Sequence, residues 1–231
     1  MKRTPLVSII LPVLNEADTI QKAILAIRAI GPGSLVEIIV VDGDPRGTTI
    51  NAITAEGVRV AAEKKGRARQ MNRGALLASG DVLLFLHADT QLPANAFSLI
   101  REAMGNTRFV AGAFALGFDT RRRVFRIAET YVALRTRLTK VPFGDQAIFI
   151  KREYFEQLGG YKEIPLMEDV ELMKRIRKRG DPVCLIREKV LTSPRRYEQE
   201  GILFCTLRNL ALQVLYASGV SPERLAGWYR S

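Results

Sequence analysis

The stretch Gly80 to Pro93 reads GDVLLFLHADTQLP, an apolar run from Val82 to Leu86 that stops abruptly at His87, Ala88 and Asp89. An imidazole and a carboxylate leaving one strand end are a donor set for a divalent cation, Mn²⁺ through both groups or Mg²⁺ mainly through Asp89. In open α/β sheets, ligands bind just beyond the carboxyl ends of the strands, where these two side chains would emerge. His87 is the only histidine in the chain. A second reading stays open: His87 stacks in a loop and Asp89 caps a short helix near Thr90.

Positioning such a pair requires a sheet, and the pattern supplies one. Leu6 to Leu11 reads as a strand, and Ile20, Ala23, Ile24, Ile27 and Ile30 then recur at helical spacing up to Gly31-Pro32-Gly33. Glu37 to Val41 is β-branched and runs into Asp42-Gly43-Asp44-Pro45; Thr49 to Gly57 reads as a short helix and Val58 to Ala61 as a third strand. Gly66 to Ser79 is helical, and Val82 to Leu86 is the fourth strand. This βα alternation implies right-handed crossovers and a largely parallel sheet. Beyond residue 110 the pattern is less regular. Val110 to Phe118 alternates as a strand, Arg123 to Leu138 is helical, Ala147 to Ile150 is a strand, Phe155 to Gly160 is a helical turn, and Asp169 to Arg179 is a helix stopped by Gly180.

The chain has 231 residues, of which 47% are apolar, enough for a full core in one domain. Cys184 and Cys205 lack metal-binding spacing and fit buried, reduced thiols of a cytosolic protein. At the amino terminus, Pro12 and Asn15 to Asp18 stand where a signal peptide would carry its cleavage region, so this segment reads as a retained first strand. Ile202 to Ala217 is apolar but interrupted by Arg208, Asn209 and Gln213, short of a clean bilayer span. The net charge of +11 favours anionic partners. Its basic clusters lack the interleaved aromatics of a strand-stacking nucleic-acid surface, so nucleotide phosphates or an acidic membrane suit the charge better.

The pieces SIILPVLNEADTI, EIIVVDGDPRGTT, GRARQMNRGALLASGDVLLFLHADTQLP, VPFGDQAIFI, PLMEDVELMKRIRKRG and TSPRR together resemble the family 2 glycosyltransferases, in that family's order and over most of the chain. The likeness is greatest to a small bacterial branch resembling selenodomain-associated transferases. The resemblance implies an α/β fold of GT-A type, a Rossmann-like three-layer sandwich with a mostly parallel mixed sheet. It forms one domain over 1–231, with 1–110 binding the nucleotide sugar and 111–231 the acceptor.

The resemblance also distributes roles. His87, Ala88 and Asp89 occupy the family's Asp-X-Asp positions, of which the last is the usual metal ligand, so Asp89 with His87 would hold Mn²⁺ or Mg²⁺. Pro12, Glu16, Asp42, Arg67, Gln70, His87 and Asp89 fall on the nucleotide-sugar side, with Asp42 accepting hydrogen bonds from base or ribose. An Asx turn before Gly43 and helix capping near Asp18 are the plain alternatives for Asp42 and Glu16. The family commonly continues Asp-Asp-Gly-Ser-X-Asp, whereas this chain has Asp42-Gly43-Asp44-Pro45-Arg46-Gly47. Asp145 and Gln146 match an acceptor-side loop, and Arg195 and Arg196 a late basic element near the donor phosphates. Glu168 and Asp169 match the place of the catalytic base, Asp169 taking the acceptor proton and Glu168 orienting it.

The expected activity is thus metal-dependent, inverting transfer of a sugar from a nucleotide diphosphate donor to a sugar, lipid or small-molecule acceptor. Two rival activities stand beside it. A regulatory nucleotide-diphosphate-binding module would explain the altered Asp42 to Gly47 loop, but Asp89 and Asp169 oppose it. A nucleotidyltransferase would need a glycine-rich basic loop that Pro12 to Asp18 lacks. The expected location is the cytoplasm, with attachment to the inner face of an anionic membrane and no nucleic-acid partner.

Overall fold

The computed structural model describes residues 5–31 and 33–230. Residues 1–4 of the amino-terminal segment, and Pro32 of the turn expected to end the first helix, lie outside the described residues. Eight strands form one sheet in the order β3-β2-β1-β4-β7-β6-β8-β5. They are β1 (Val7–Val13), β2 (Val36–Asp42), β3 (Arg59–Ala62), β4 (Val82–Phe85), β5 (Thr90–Gln91), β6 (Ala111–Phe118), β7 (Phe149–Lys151) and β8 (Val183–Thr192). β3, β2, β1 and β4 are mutually parallel; β7 runs antiparallel to β4 and β6, and β8 pairs parallel with β6.

The helices include α1 (Ala17–Ile30), α2 (Arg67–Leu77), α3 (Ala96–Gly105), α4 (Val124–Thr139), α5 (Arg152–Gln157), α6 (Glu168–Arg179), α7 (Arg195–Glu200), α8 (Ile202–Ala217) and α9 (Pro222–Arg230). Side chains alternate across the sheet, so β1 sends Ile9 and Leu11 to one face and Ile10 to the other. Ile9 and Leu11 join Ile20 and Ile24 of α1 and Phe97 and Ile100 of α3. Ile10 joins Met71 of α2 and Leu172, Met173 and Ile176 of α6. Each such side chain, removed from water, stabilises the fold by about 1.5–3 kcal/mol. The three-layer α/β/α arrangement expected from the sequence is therefore present, with the sheet's mixed half confined to β5 through β8.

Several local expectations change. Thr49 to Gly57 is a 3-10 turn, Ile50–Ala52, followed by irregular chain, because the backbone there turns to bond Asp42. Thr90 lies in a two-residue strand pairing with Thr192, so Asp89 caps no helix. β8 is longer than its sequence suggests. Its charged Arg187, Glu188 and Lys189 interrupt the apolar pattern, and a bulge accommodates them: Ile186 pairs with Phe114 and Lys189 with Ala115.

Candidate active site

β1, β2 and β4 end at the same edge, and the segments that leave them form a cleft with the start of α6. Asn15, after β1, and Met167, immediately before α6, both have left-handed backbone (φ 57° and 66°), as does Ala147 after the Gly144–Gln146 turn (φ 48°). Left-handed non-glycine residues are individually unfavourable, and such strain is concentrated at ligand sites. Here it sets the direction in which three loops enter one cleft.

One wall is a narrow pocket lined by Pro12, Arg67, His87, Gly144, Glu168 and Asp169, with Met71, Phe85, Leu86 and Tyr161 behind them. Glu168 is 2% exposed and its carboxylate pairs with Arg67 Nε at 3.0 Å. Burial raises the Glu168 pKa, while Arg67 pulls it down and Asp169 raises it again. The Asp169 carboxylate is held by two backbone donors, Gly144 N–H at 2.5 Å and Val170 N–H at 2.7 Å. A carboxylate oxygen has more than one lone pair, so both oxygens keep accepting capacity. A Cβ at Gly144 would stand 3.1 Å from Asp169 Oδ2 and 3.4 Å from His87 Nε2, so a side chain there would push on the Asp169 carboxylate. Burial and then the Arg67 charge press the His87 pKa down to about 3, so the imidazole is neutral at physiological pH.

A second group beside this pocket brings Asp89, Glu16 and Arg195 together. The Ser193 N–H bonds the Asp89 carbonyl at 3.1 Å and ties the strand-end loop to the end of β8. Asp89 is exposed on its outer side but is stripped of water where it faces the cleft. Its pKa is raised by that desolvation and by the charge of Glu16, and drawn down by Thr90 and, less strongly, Arg195. Arg195 approaches Glu16 at 3.7 Å. A Thr90 N–H to His87 carbonyl bond of 3.0 Å closes a turn between the two expected metal ligands. His87 then lines the Arg67–Asp169 pocket while Asp89 sits with Glu16 and Arg195. Among the described residues no group of three or more His, Cys, Asp or Glu forms an ion cage.

Four expected binding residues are engaged in holding the cleft's frame. Asp42 is fully buried and accepts the backbone N–H groups of Asp44, Thr49 and Ile50 at 2.9, 2.9 and 3.3 Å, the Asx-like role that was its plain alternative. Gln70 donates to the carbonyls of Val13 and Val41 at 2.7 and 2.9 Å, clamping the ends of β1 and β2. Gln146 accepts from Arg135, Thr136 and Phe143 and donates to Phe114, so it ties α4 to β6 rather than facing the cleft. Arg196 binds Glu200 and the Tyr229 ring.

Asp145 is different. Its Oδ1 is buried without a hydrogen-bond partner among the described residues, and so is the Arg135 Nε. Burial pushes the Asp145 pKa up to about 6, with Arg135 opposing and Asp169 adding to the rise. Arg135 stacks its guanidinium 3.5 Å over the Phe143 ring, beside the Gly144 turn. Sequence reasoning missed Arg135 and Tyr161. Arg135 is one arginine among several on α4 and carries no distinguishing pattern, whereas Tyr161 follows Gly159-Gly160, both left-handed, which marks a sharp turn into the cleft.

With this geometry established, known proteins give it context. The family model "Glycosyl transferase family 2" matches residues 8–159. An uncharacterized glycosyltransferase of Mycobacterium tuberculosis is 26% identical over 221 residues, covering 91% of this chain and 84% of the relative. A probable glycosyltransferase of Bacillus subtilis is 25% identical over 207 residues, covering 78% of this chain and 48% of the relative. Among solved structures, a mannosyltransferase from Pyrobaculum calidifontis in complex with GDP-Man and Mn²⁺ superposes with a TM-score of 0.65. It is 21% identical over 82% of this chain and 57% of its own, a likeness of fold. These comparisons support the family and its fold, and not the narrower branch resembling selenodomain-associated transferases.

Proposed function

The chain belongs to glycosyl transferase family 2, and we propose that it moves a sugar from a nucleotide diphosphate donor to an acceptor hydroxyl with inversion at the anomeric carbon. The observation that carries this reading is the division of the cleft. A held carboxylate, Asp169, lies in the Arg67 pocket, and a second carboxylate, Asp89, stands apart from it near Glu16.

In the proposed step the acceptor oxygen attacks the anomeric carbon as the bond from that carbon to the diphosphate breaks. Asp169 takes the hydroxyl proton, and the bonding pair leaves on the diphosphate. The Gly144 and Val170 N–H groups fix the Asp169 carboxylate before substrate arrives, so little reorganisation is needed during reaction. Glu168 is held by Arg67 and acts as a positioning residue. The neutral His87 ring adds no charge beside Arg67 and has a nitrogen lone pair available to a sugar hydroxyl. Arg67 remains 41% exposed and has further N–H groups for donor oxygens.

A divalent cation fits the Asp89 wall in the one-carboxylate manner, with donor phosphates supplying further ligands, because a cation relieves the Asp89–Glu16 repulsion. Asp89 is the residue that would hold Mn²⁺ or Mg²⁺, with Glu16 beside it, and the ion would neutralise the leaving diphosphate. The Mn²⁺ in the Pyrobaculum enzyme supports this reading. His87 lines the adjoining Arg67 pocket, two residues from Asp89. We place the activity in the cytoplasm, at an anionic membrane surface.

Calorimetric titration of nucleoside diphosphates tests the donor and metal assignment. Affinity should rise with Mn²⁺ in the native protein, and the rise should vanish in Asp89→Ala. Equal metal dependence in both proteins would remove Asp89 from the metal site.

A further inference from the structure

Two helices on the acceptor side carry apolar stripes turned to solvent. On α4, Ile127, Tyr131, Leu134 and Leu138 are all exposed, Ile127 at 73%. On α8 the same spacing recurs in Leu203, Leu207, Leu210 and Val214, with Leu203 at 73%. Steps of four, three and four residues keep a side chain on one helical face.

The two stripes look out on the same side. The early turns of both helices pack on one cluster, Leu116, Phe118 and Phe125, to which α4 adds Ala128 and Val132 and α8 adds Ile202. Farther along, Arg135 of α4 reaches Gln213 of α8. The helices therefore run in the same direction, linked by side chains near both ends. On α4 the exposed stripe sits one residue before the packing line, as Tyr131 precedes Val132 and Leu134 precedes Arg135. On α8 it sits one residue after, as Leu203 follows Ile202 and Val214 follows Gln213. One residue is about 100° of turn. Opposite rotations on parallel neighbours bring both stripes to a common face.

The charge around that face is basic. Arg121, Arg122 and Arg123 are exposed before and at the start of α4, and Arg137 and Lys140 are exposed at its end. Glu129, the sole carboxylate in α4, is 4% exposed and turned inward to Arg126 and Lys189; α8 contains none. Exposed Asp119, Glu198 and Glu200 lie outside both helices, Glu200 just before α8 and neutralised by Arg196 and Arg208. A broad apolar surface without carboxylates and rimmed by arginines matches the boundary of an anionic bilayer, apolar stripe toward the acyl chains and guanidinium groups at the headgroups. Among the described residues no helix is long and apolar enough to cross a membrane, so this is a surface for lying on one.

We infer that the joint α4–α8 face is where the protein docks on an anionic lipid bilayer. This deepens the membrane placement proposed above and identifies the surface responsible. Arg135 links the platform to the cleft, since it joins α8 through Gln213 and stacks on Phe143 beside Gly144.

The test is sedimentation of the purified full chain with vesicles of 30% phosphatidylglycerol in phosphatidylcholine, and with phosphatidylcholine alone, at low and high salt. The native protein should pellet with the anionic vesicles at low salt and be released several-fold by high salt. Ile127→Glu with Leu207→Glu should cut the pelleted fraction at least fivefold. Leu76→Glu, at an apolar residue 80% exposed on α2, should stay within twofold of native. Near-ultraviolet circular dichroism reports whether each variant keeps its fold. Equal pelleting of the double variant and native protein overturns the inference, as does absence of native protein from the anionic pellet. A native dimer that the double variant splits, with no lipid binding, overturns it in favour of a second copy of the chain. Because pelleting needs no donor, its failure is distinct from failure of the glycosyl-transfer reading.

Discussion

Replacing Asp169 by asparagine keeps the side chain's size and removes the charge that accepts the proton. The native carboxylate accepts Gly144 N–H at 2.5 Å and Val170 N–H at 2.7 Å. An amide has one oxygen and one NH₂, so it can serve one of those donors while its NH₂ faces the other. The loss of one such bond should cost about 1–2 kcal/mol of stability, lowering Tm by about 2–8 °C in a chain of this size. Loss of a positioned base should slow transfer by about 100- to 10,000-fold, or about 3–5 kcal/mol of barrier. Turnover should therefore suffer far more than folding or donor binding. The assay pairs calorimetric nucleotide affinity with single-turnover transfer to an acceptor, alongside a thermal melt. Transfer within about threefold of native would refute the base assignment and direct attention to Asp145. Collapse of affinity and Tm together would make Asp169 a structural cap.

Other consequences follow from the same cleft. Asp145 carries a pKa raised to about 6, so its contribution to stability is present at low pH and is lost as pH rises through 6. Asp145→Asn should therefore raise Tm at pH 7.5, by the equivalent of about 1–2 kcal/mol after allowance for partial exposure, and an unchanged or lower Tm would contradict the unpartnered carboxylate. His87, with its pKa pressed down to about 3, binds fewer protons folded than unfolded, so its neutral burial costs stability as pH falls below about 6.5. His87→Gln should flatten that acid limb in melts from pH 3.5 to 7; parallel curves would show an imidazole free to protonate. Asp42→Ala strands three N–H groups and should cost about 3 kcal/mol in denaturant unfolding while weakening donor binding, whereas a loss below about 0.5 kcal/mol would place the loop's order elsewhere.

The first four strands were legible as short runs rich in β-branched or aliphatic residues alternating with helical segments, a signal that the parallel half of the sheet repeats. β8 was hidden by Arg187-Glu188-Lys189, since a bulge lets charges leave the sheet without ending the strand. The partition of His87 from Asp89 was also hidden. Their spacing suggests a ligand pair, whereas in the fold His87 lines the Arg67 pocket and Asp89 stands near Glu16 and Arg195. Gln70 and Gln146 illustrate a related limit: an amide near a site looks the same in sequence whether it meets a ligand or backbone carbonyls. Glu168 and Asp169 were legible as a pair, but their division of labour depends on Arg67 and on Gly144, which come from elsewhere in the chain.

Donor cleavage tests the central claim most directly. Each nucleotide diphosphate sugar would be incubated with the native protein and Asp89→Ala, with and without Mn²⁺, and the released sugar followed by mass. The native protein should slowly hydrolyse a particular donor, stimulated by Mn²⁺, and Asp89→Ala should abolish that hydrolysis. Folded native protein that neither binds nor cleaves any nucleotide sugar at millimolar concentration, with or without metal, would contradict that claim.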